Sequence, residues 1–197
     1  MPLRVRTLTP ENGLHDHIGD LADLRVRVFR DWPYLYDGGP EQERDYLAHF
    51  TQADGAVCIA VFEGERMVGA STGMPMAGEH DPIKAPFIDA GIPLDDIYYC
   101  AESVLLPDWR GQGIYRQFFD GREAHARSLG GFRTMAFCGV IRPDEHPLKP
   151  KDAEPLDDVW RHFGYHPEPS LVCTFNWKDV GQTKRTPKPL MFWLKTL

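Results

Sequence analysis

The sequence lacks an excess of basic residues and lacks any apolar run long enough to cross a membrane. Its 197 residues include 22 Lys and Arg against 29 Asp and Glu, which gives a formal net charge of −7. A protein that binds nucleic acid through a broad basic surface normally has the opposite balance. A membrane span needs roughly 18 consecutive apolar residues, and no window of the sequence approaches that length. We therefore expect no nucleic-acid partner and no membrane partner.

Cysteines are few, and their spacing excludes two further classes of protein. Cys58, Cys100, Cys138 and Cys173 are far apart, and each lies in an apolar, strand-like run. This is neither a zinc-ligand spacing nor a small disulfide framework, so buried free thiols are expected. The eight histidines are scattered without ligand spacing, which predicts no metal site. The N-terminal residues "MPLRVRTLTPENG" contain no apolar signal region, so we expect a cytoplasmic location.

What is present is an ordinary globular composition, with 42% apolar and 26% charged residues. Length and composition predict one domain over residues 1–197. Periodicity predicts, in order, a strand, two helices, a hairpin, a central strand, a long helix, a strand, a short helix and two last strands. Two proline-rich segments, 77–95 and 141–155, are predicted as surface loops. The predicted fold class is therefore α/β: a mixed sheet with helices on both faces.

The most informative stretch is "ESVLLPDWRGQGIYRQFF", in which an apolar strand leads through Arg110-Gly111-Gln112-Gly113 into the long helix predicted over 111–129. Glycines allow close approach of a ligand, and the free N–H groups of a first helical turn favour an anion such as pyrophosphate. The stretch is not a P-loop, because no Gly-Lys-Ser/Thr follows. Arg116 occupies the place of the third glycine of a dinucleotide fingerprint. A plain glycine turn that begins a helix remains the structural alternative.

The segment "LPDWRGQGIYRQFF" resembles the acetyl-CoA signature of the GNAT-type N-acetyltransferases, Arg/Gln-x-x-Gly-x-Gly/Ala. Arg110 and Gly113 match its frame, and Tyr115 stands where Gly or Ala is usual. "VWRHFGYHP" is similar to the family's later Tyr-x-x-x-Gly-Phe segment, with Trp160 and Tyr165 at its two aromatic positions. The order of elements is also similar over most of the chain, and "FRDWPYLYDG" and "PLMFWL" resemble a bacterial subgroup. The resemblance implies a GNAT-like acyl-CoA N-acyltransferase fold with about seven mostly antiparallel strands.

The resemblance also implies acetyl-CoA as co-substrate, without a metal. When the chain is aligned on the family's motif, the resemblance implies that the pantetheine arm of acetyl-CoA pairs with the backbone of Val104, Leu105 and Leu106. One of their N–H groups would polarise the thioester carbonyl. The pyrophosphate falls on the amides of Arg110, Gly111, Gln112, Gly113, Ile114 and Tyr115. The implied reaction is acetyl transfer to a primary amine, of a small molecule or a protein, by direct attack in a ternary complex. A non-catalytic acyl-CoA-binding module is the alternative, and a homodimer stays open.

Glu102 is the candidate general base, because an alkyl ammonium with a pKa of roughly 10 must lose its proton before it attacks. Strand alternation predicts Glu102 on the same face as Tyr98, Cys100, Val104 and Leu106, as a lone carboxylate. The alternative is a structural salt bridge to Arg133 or Arg142.

The family's usual acid, a tyrosine, is replaced by Trp160, whose indole is not a usable acid. The remaining candidate proton donors are Tyr98, Tyr99, His162, His166 and solvent. Tyr165 is expected in the core.

The site for the acceptor amine is predicted in the loop after the first helix. An aromatic wall could be formed there by Trp32, Tyr34 and Tyr36, with Asp31 or Asp37 as a contact for the ammonium group. The alternative is that these aromatics pack over the helix pair.

Overall fold

The computed structural model describes residues 2–197 and contains eight strands and five α-helices within them. The strands are β1 Leu3–Leu8, β2 Val57–Glu63, β3 Arg66–Pro75, β4 Ile97–Tyr99, β5 Ser103–Leu105, β6 Thr134–Val140, β7 His166–Trp177 and β8 Thr186–Thr196. The α-helices are α1 Ile18–Phe29, α2 Pro40–Phe50, α3 Asp81–Asp89, α4 Ile114–Leu129 and α5 Asp157–His162.

The strands form one sheet in the order β1-β2-β3-β4-β6-β8-β7, and β5 pairs with β3 beyond the end of β4. Only β4 and β6 are parallel, and α4 makes the crossover between them that a parallel pair requires. Because β4 and β5 are successive parts of one interrupted strand, the sheet has seven strand positions. The prediction of a mixed, mostly antiparallel sheet with about seven strands is confirmed.

Helices cover both faces of the sheet, as predicted. On one face α4 packs so closely that a Cβ on its Gly121 would lie 2.8 Å from Ile59 of β2. Leu105 of β5 points to the same face, where a Cβ on Gly69 would meet both Leu105 and Phe118 of α4. Glu102, three residues before Leu105, pairs instead with Arg25 of α1. In extended chain, side chains three residues apart point to opposite faces, so α1 and α4 lie on opposite sides of the sheet.

The segment 77–95 is not the loop that its prolines predicted, because it contains the helix α3. Pro82 lies in the first turn, where the N–H that proline lacks has no helical partner to lose. Ile83 and Phe87 are four residues apart on one side of the helix, and both are buried. The ring of Phe87 packs edge-on against Phe192 of β8, with centroids 4.7 Å apart. This apolar contact stabilises a helix that the proline count argued against.

The second proline-rich segment is a loop between β6 and α5, as predicted. The helix predicted from Gly111 begins at Ile114, because Gly111 and Gly113 have left-handed backbone angles.

None of the helices within residues 2–197 combines the length and the apolar composition that a membrane crossing needs.

Candidate functional site

A gap opens in the sheet where β4 gives way to β5. β4 pairs with β6 as far as Tyr99, and the last bond to β6 runs from Cys100 N to Ala136 O at 2.7 Å. From Ser103 onward the described pairing is with β3 alone. The other edge of β6 pairs with β8 along the whole strand. The sheet is therefore split between β5 and β6, and backbone groups of β5 face the split.

The interruption is a β-bulge at Ala101 and Glu102. Ala101 N donates to Thr72 O at 3.1 Å, and Thr72 N donates to Glu102 O at 3.0 Å, so two residues oppose one residue of β3. The extra residue reverses the alternation of side chains. Glu102 consequently points toward α1, whereas the Tyr98 ring packs on Phe132 on the α4 side. The predicted common face of Glu102, Tyr98 and Cys100 is wrong for this reason.

Backbone pairing decides which of the predicted strand amides face the gap. Leu106 N donates to Val68 O at 3.0 Å, so this amide is already used within the sheet. Antiparallel pairs alternate their hydrogen-bonding direction, which turns the Val104 amide toward β3 as well. The amides of Ser103 and Leu105 therefore point into the gap. The sequence named Leu105 but missed Ser103, which only the register of β5 on β3 identifies.

The loop before α4 offers free amides to solvent. Gly111 and Gly113 have φ values of 74° and 75°, which favour glycine, and no side chain caps the first turn of α4. Residues Arg110 to Gly113 are exposed, and a Cβ added to either glycine would meet no atom within 4 Å. The Arg110 amide, which was predicted to bind the pyrophosphate, is instead used within the loop, where it donates to Pro107 O at 3.0 Å. The Arg110 side chain folds back, so that its Nε donates to Leu105 O at 3.2 Å. Uncapped amides that face open space fit a phosphate or pyrophosphate group.

Tyr115, the main departure from the family motif, turns its side chain away from this loop. Its ring packs against Phe119 with centroids 5.2 Å apart, and its hydroxyl accepts a hydrogen bond from Trp160 Nε1 at 3.3 Å. Burial raises the pKa of the Tyr115 hydroxyl. Ile114 beside it is buried. Tyr115 and Trp160, the two aromatic residues that differ from the family's motifs, are thus hydrogen-bonded to each other. The Tyr115 side chain therefore does not cover the backbone of the loop.

Glu102 belongs to a buried network of charges. Arg25 donates through Nε to Glu43 Oε2 at 2.6 Å, and its Nη1 pairs with Glu102 Oε2. All three residues are less than 10% exposed. Burial lowers the pKa of Arg25, but the charges of Glu102 and Glu43 outweigh it and raise that pKa overall. The predicted alternatives, Arg133 and Arg142, are not the partners of Glu102: they face Asp96 and Asp179, respectively.

The backbone at Glu102 is held from the other face of the sheet. Its carbonyl accepts hydrogen bonds from Ser71 Oγ at 3.1 Å and from Arg122 Nη1 at 3.2 Å, besides the Thr72 amide. Arg122 belongs to α4 and is 2% exposed. The bulge is therefore fixed by one buried arginine on each side: Arg25 binds the side chain of Glu102 and Arg122 binds its carbonyl.

The predicted proton donors lie in three different environments. The Tyr98 hydroxyl donates to Gly55 O at 2.9 Å, and the Tyr99 hydroxyl lies 3.1 Å from Cys138 Sγ. Tyr165 is fully buried, which confirms its expected place in the core. Burial raises the pKa of all three phenols. His162 and His166 are exposed near α5 and the start of β7.

The aromatic loop after α1 packs in the way that the alternative interpretation described. Tyr34 lies between Phe29, at 4.6 Å, and Trp177, at 6.2 Å between ring centroids. Arg142 donates to the carbonyls of Pro33 and Tyr34 and forms a two-point salt bridge with Asp179. Asp37 is paired with Arg30 and Lys178. These contacts tie the loop to β7 and use two of the candidates for an acceptor site, Tyr34 and Asp37.

The structure describes no group of three or more His, Cys, Asp or Glu side chains within residues 2–197 that could hold a metal ion.

No family model matches the sequence, and no curated protein sequence matches it. Solved structures do match the fold. The acetyltransferase of the GNAT family from Streptococcus pneumoniae has a TM-score of 0.58 at 10% identity, covering 100% of both chains. The ribosomal-protein-alanine N-acetyltransferase from Brucella melitensis has a TM-score of 0.61 at 13% identity, covering 98% of this chain and 99% of that one. The chain has the GNAT fold.

A third structure with the GNAT fold contains a ligand. Arabidopsis thaliana NAA60, in complex with a bisubstrate analogue, matches with a TM-score of 0.59 at 12% identity and covers 100% of this chain and 99% of its own. Similarity at these identities concerns the fold. The chemistry of this GNAT-fold chain must therefore be argued from its own residues at the gap, the bulge and the glycine loop.

Proposed function

We propose that this protein is an N-acetyltransferase that moves the acetyl group of acetyl-CoA to a primary amine, by direct attack in a ternary complex. The observation that carries the proposal is one continuous piece of chain. It holds the open edge of β5, then the uncapped glycine loop and then the start of α4. Free strand amides followed by free helix-terminal amides suit a ligand with a long amide-bearing arm and a pyrophosphate, and acetyl-CoA has both.

The binding groups are mainly backbone. The amides of Gly111 to Tyr115 would hold the pyrophosphate, with Arg110 adding positive charge. The open space above both glycines fits this role, since a Cβ built on either one would meet no atom of residues 2–197 within 4 Å. The amides of Ser103 and Leu105 would pair with the pantetheine arm, because they face the gap. Of the three residues predicted to bind the pantetheine arm, Leu105 is the one whose N–H faces the gap. This N–H could therefore polarise the thioester carbonyl of acetyl-CoA bound in the gap.

Acetyl-CoA, when bound, supplies an acetyl group activated as a thioester. We propose that Glu102 accepts a proton from the acceptor's ammonium group, so that the neutral nitrogen bonds to the acetyl carbon as the carbon–sulfur bond breaks. The nitrogen gives up its second proton to solvent as it becomes the amide, and CoA leaves as a thiolate that takes a proton from solvent. Glu102 Oε1 has no hydrogen-bond partner among residues 2–197, so it is available for this transfer, whereas Oε2 is held by Arg25.

A non-catalytic acyl-CoA-binding module is the second candidate, and one observation favours it. Trp160 occupies the place of the family's usual tyrosine, and its N–H is already used by the Tyr115 hydroxyl. The chain therefore offers no protein acid at that position. This module would bind acetyl-CoA but would acetylate no amine.

The first test is calorimetric titration of the purified protein with acetyl-CoA, with NAD and ATP as controls. Micromolar binding of acetyl-CoA alone supports both candidates, and release of CoA thiol with an amine then selects the enzyme. Absence of acetyl-CoA binding at millimolar ligand would reject both.

A further inference from the structure

A small cavity lies beside the bulge, next to Glu102. It is lined by Glu102 and Thr72 at the sheet, by Tyr46 and His49 of α2, and by Glu79 and His80 from the turn before α3. Its volume of about 10 Å³ is the space of about one water molecule. The cavity thus joins the segment 77–95, which the sequence left without a defined role, to the candidate base.

Two of the residues that line this cavity each have a buried oxygen without a partner. Within residues 2–197, neither Glu102 Oε1 nor Thr72 Oγ1 has a hydrogen-bond partner, although the residues are only 6% and 1% exposed. Buried polar atoms are almost always satisfied, and leaving one unpaired is costly. A carboxylate oxygen can only accept a hydrogen bond, so the missing group beside it is a donor.

The charges around the cavity favour a cation as that donor. Glu79 is 5% exposed and accepts one hydrogen bond, from the His80 amide at 3.0 Å, but no ion pair to it is described within residues 2–197. Burial and then the charge of Glu102 raise the pKa of Glu79. Arg25 is the cation of the cluster, and it is shared between Glu43 and Glu102. Three carboxylates with one guanidinium leave an excess of negative charge.

Two histidines also line the cavity, and the ring of one of them, His49, is already hydrogen-bonded through Nε2 to Gly78 O. Burial, and then the charge of His49, lower the pKa of His80. The His80 ring lies 5.0 Å from Tyr46 and 4.8 Å from His49, so three rings border the opening. Aromatic rings at this spacing can contact both a methylene chain and a cation. A primary ammonium group has about the volume of a water molecule, whereas a branched or secondary amine does not fit the space of one water.

We propose that this cavity seats the ammonium group of an unbranched primary alkylamine, with Glu79 as a binding residue for the acceptor beside Glu102 and Thr72. The inference rests on the proposed acetyl transfer and names its acceptor class. Glu102 Oε1 and Thr72 Oγ1 receive N–H donors from the ammonium group. Glu79 supplies the second negative charge and holds the acceptor without taking its proton.

The experiment measures CoA thiol release by the full chain with n-butylamine as acceptor, in the wild type and in the Glu79→Gln variant. Because glutamine has nearly the same shape and volume as glutamic acid, the variant should fold. The matched control is Asp81→Asn, which removes the same charge two residues away from a side chain that is 98% exposed. Calorimetry with acetyl-CoA is run on all three proteins.

We expect Glu79→Gln to raise the KM for n-butylamine by about tenfold or more while kcat and acetyl-CoA affinity stay within about twofold of wild type. Asp81→Asn should match the wild type. An unchanged KM in Glu79→Gln, or acetyl-CoA binding without turnover of n-butylamine, overturns the inference and leaves acetyl-CoA binding intact. Failure to bind acetyl-CoA at all instead rejects the proposed function, and the acceptor assignment with it.

Discussion

Arg25 and Glu102 form a buried ion pair, Nη1 to Oε2, which joins α1 to the bulge of the interrupted strand. The same guanidinium holds Glu43 of α2 through Nε. One arginine therefore sets the position of both helices relative to the gap in the sheet. The second oxygen of Glu102 has no partner within residues 2–197, so the structural contact and the proposed catalytic contact use different atoms of one carboxylate.

If Glu102 is the base, Glu102→Gln should lower kcat by about 10²- to 10⁴-fold, which is the usual contribution of general base catalysis. Calorimetry should give an unchanged affinity for acetyl-CoA.

The matched control is Glu43→Gln, which removes the other carboxylate bound by Arg25. Both variants should lose stability, because each leaves the buried arginine with one partner fewer. Only Glu102→Gln should show a loss of kcat that is larger than its loss of stability explains. Equal kcat values for the two variants would remove Glu102 from the proposed chemistry.

Gly113→Asp should abolish acetyl-CoA binding, because it places a carboxylate where the amides are proposed to hold the pyrophosphate. Any side chain at the left-handed φ of 75° adds strain of about 1–2 kcal/mol. Gly113→Ala adds the same strain without the charge, and we expect it to bind acetyl-CoA within about tenfold of the wild type. Calorimetry and thermal unfolding separate the two effects. If Gly113→Asp binds as well as Gly113→Ala, the loop is a plain glycine turn.

The raised pKa of Glu79 predicts how stability depends on pH. A carboxyl whose folded-state pKa exceeds its ordinary value of 4.5 contributes stability that is fully present below 4.5 and is lost as pH rises through the folded-state pKa. Urea unfolding of wild type and Glu79→Gln from about pH 4 to about pH 8 measures this contribution. The free energy of unfolding of the wild type, relative to the variant, should decline over that window. A difference that stays constant with pH would contradict the buried environment of Glu79.

Asp179→Asn should destabilise the protein by about 3–5 kcal/mol, because it breaks a buried two-point salt bridge and leaves Arg142 without its counter-charge. Arg142 also holds the aromatic loop through the carbonyls of Pro33 and Tyr34. We therefore expect faster amide exchange in residues 31–37 of the variant. Asp37→Asn, which removes a half-buried partner of Arg30 and Lys178 in the same loop, serves as the control and should change stability less, because both of those cations reach solvent. Similar losses in both variants would show that the Arg142 contact is not what holds the loop.

Several features were predictable because they depend on neighbouring residues in the chain. The glycines of the loop before α4 indicated a backbone that only glycine adopts readily, and both have positive φ values. Helical periodicity predicted α1 and α4, alternation predicted β7, and the apolar segment "PLMFWLKTL" predicted β8 as the last strand. Tyr165 was expected in the core and is fully buried there.

Other features were missed because distant residues create them. α3 forms in a segment with several prolines, since Phe87 reaches an apolar contact on β8 that no local rule includes. Arg25 was not considered as the partner of Glu102, because only the packing of α1 on the sheet brings them together. Glu79 lies in a segment that the sequence predicts as a loop. Its proximity to Glu102 at the bulge depends on the tertiary structure.

The order of elements, the glycine loop and the departures at Tyr115 and Trp160 can be read from the chain alone, because helix, strand and turn preferences act over a few residues. The face on which Glu102 lies could not. It depends on one extra residue at Ala101–Glu102 opposite Thr72, and that bulge exists only through hydrogen bonds to β3. The burial, the pairing and the unpaired oxygen of Glu102 all follow from this long-range pairing, so the candidate site is a property of the assembled sheet.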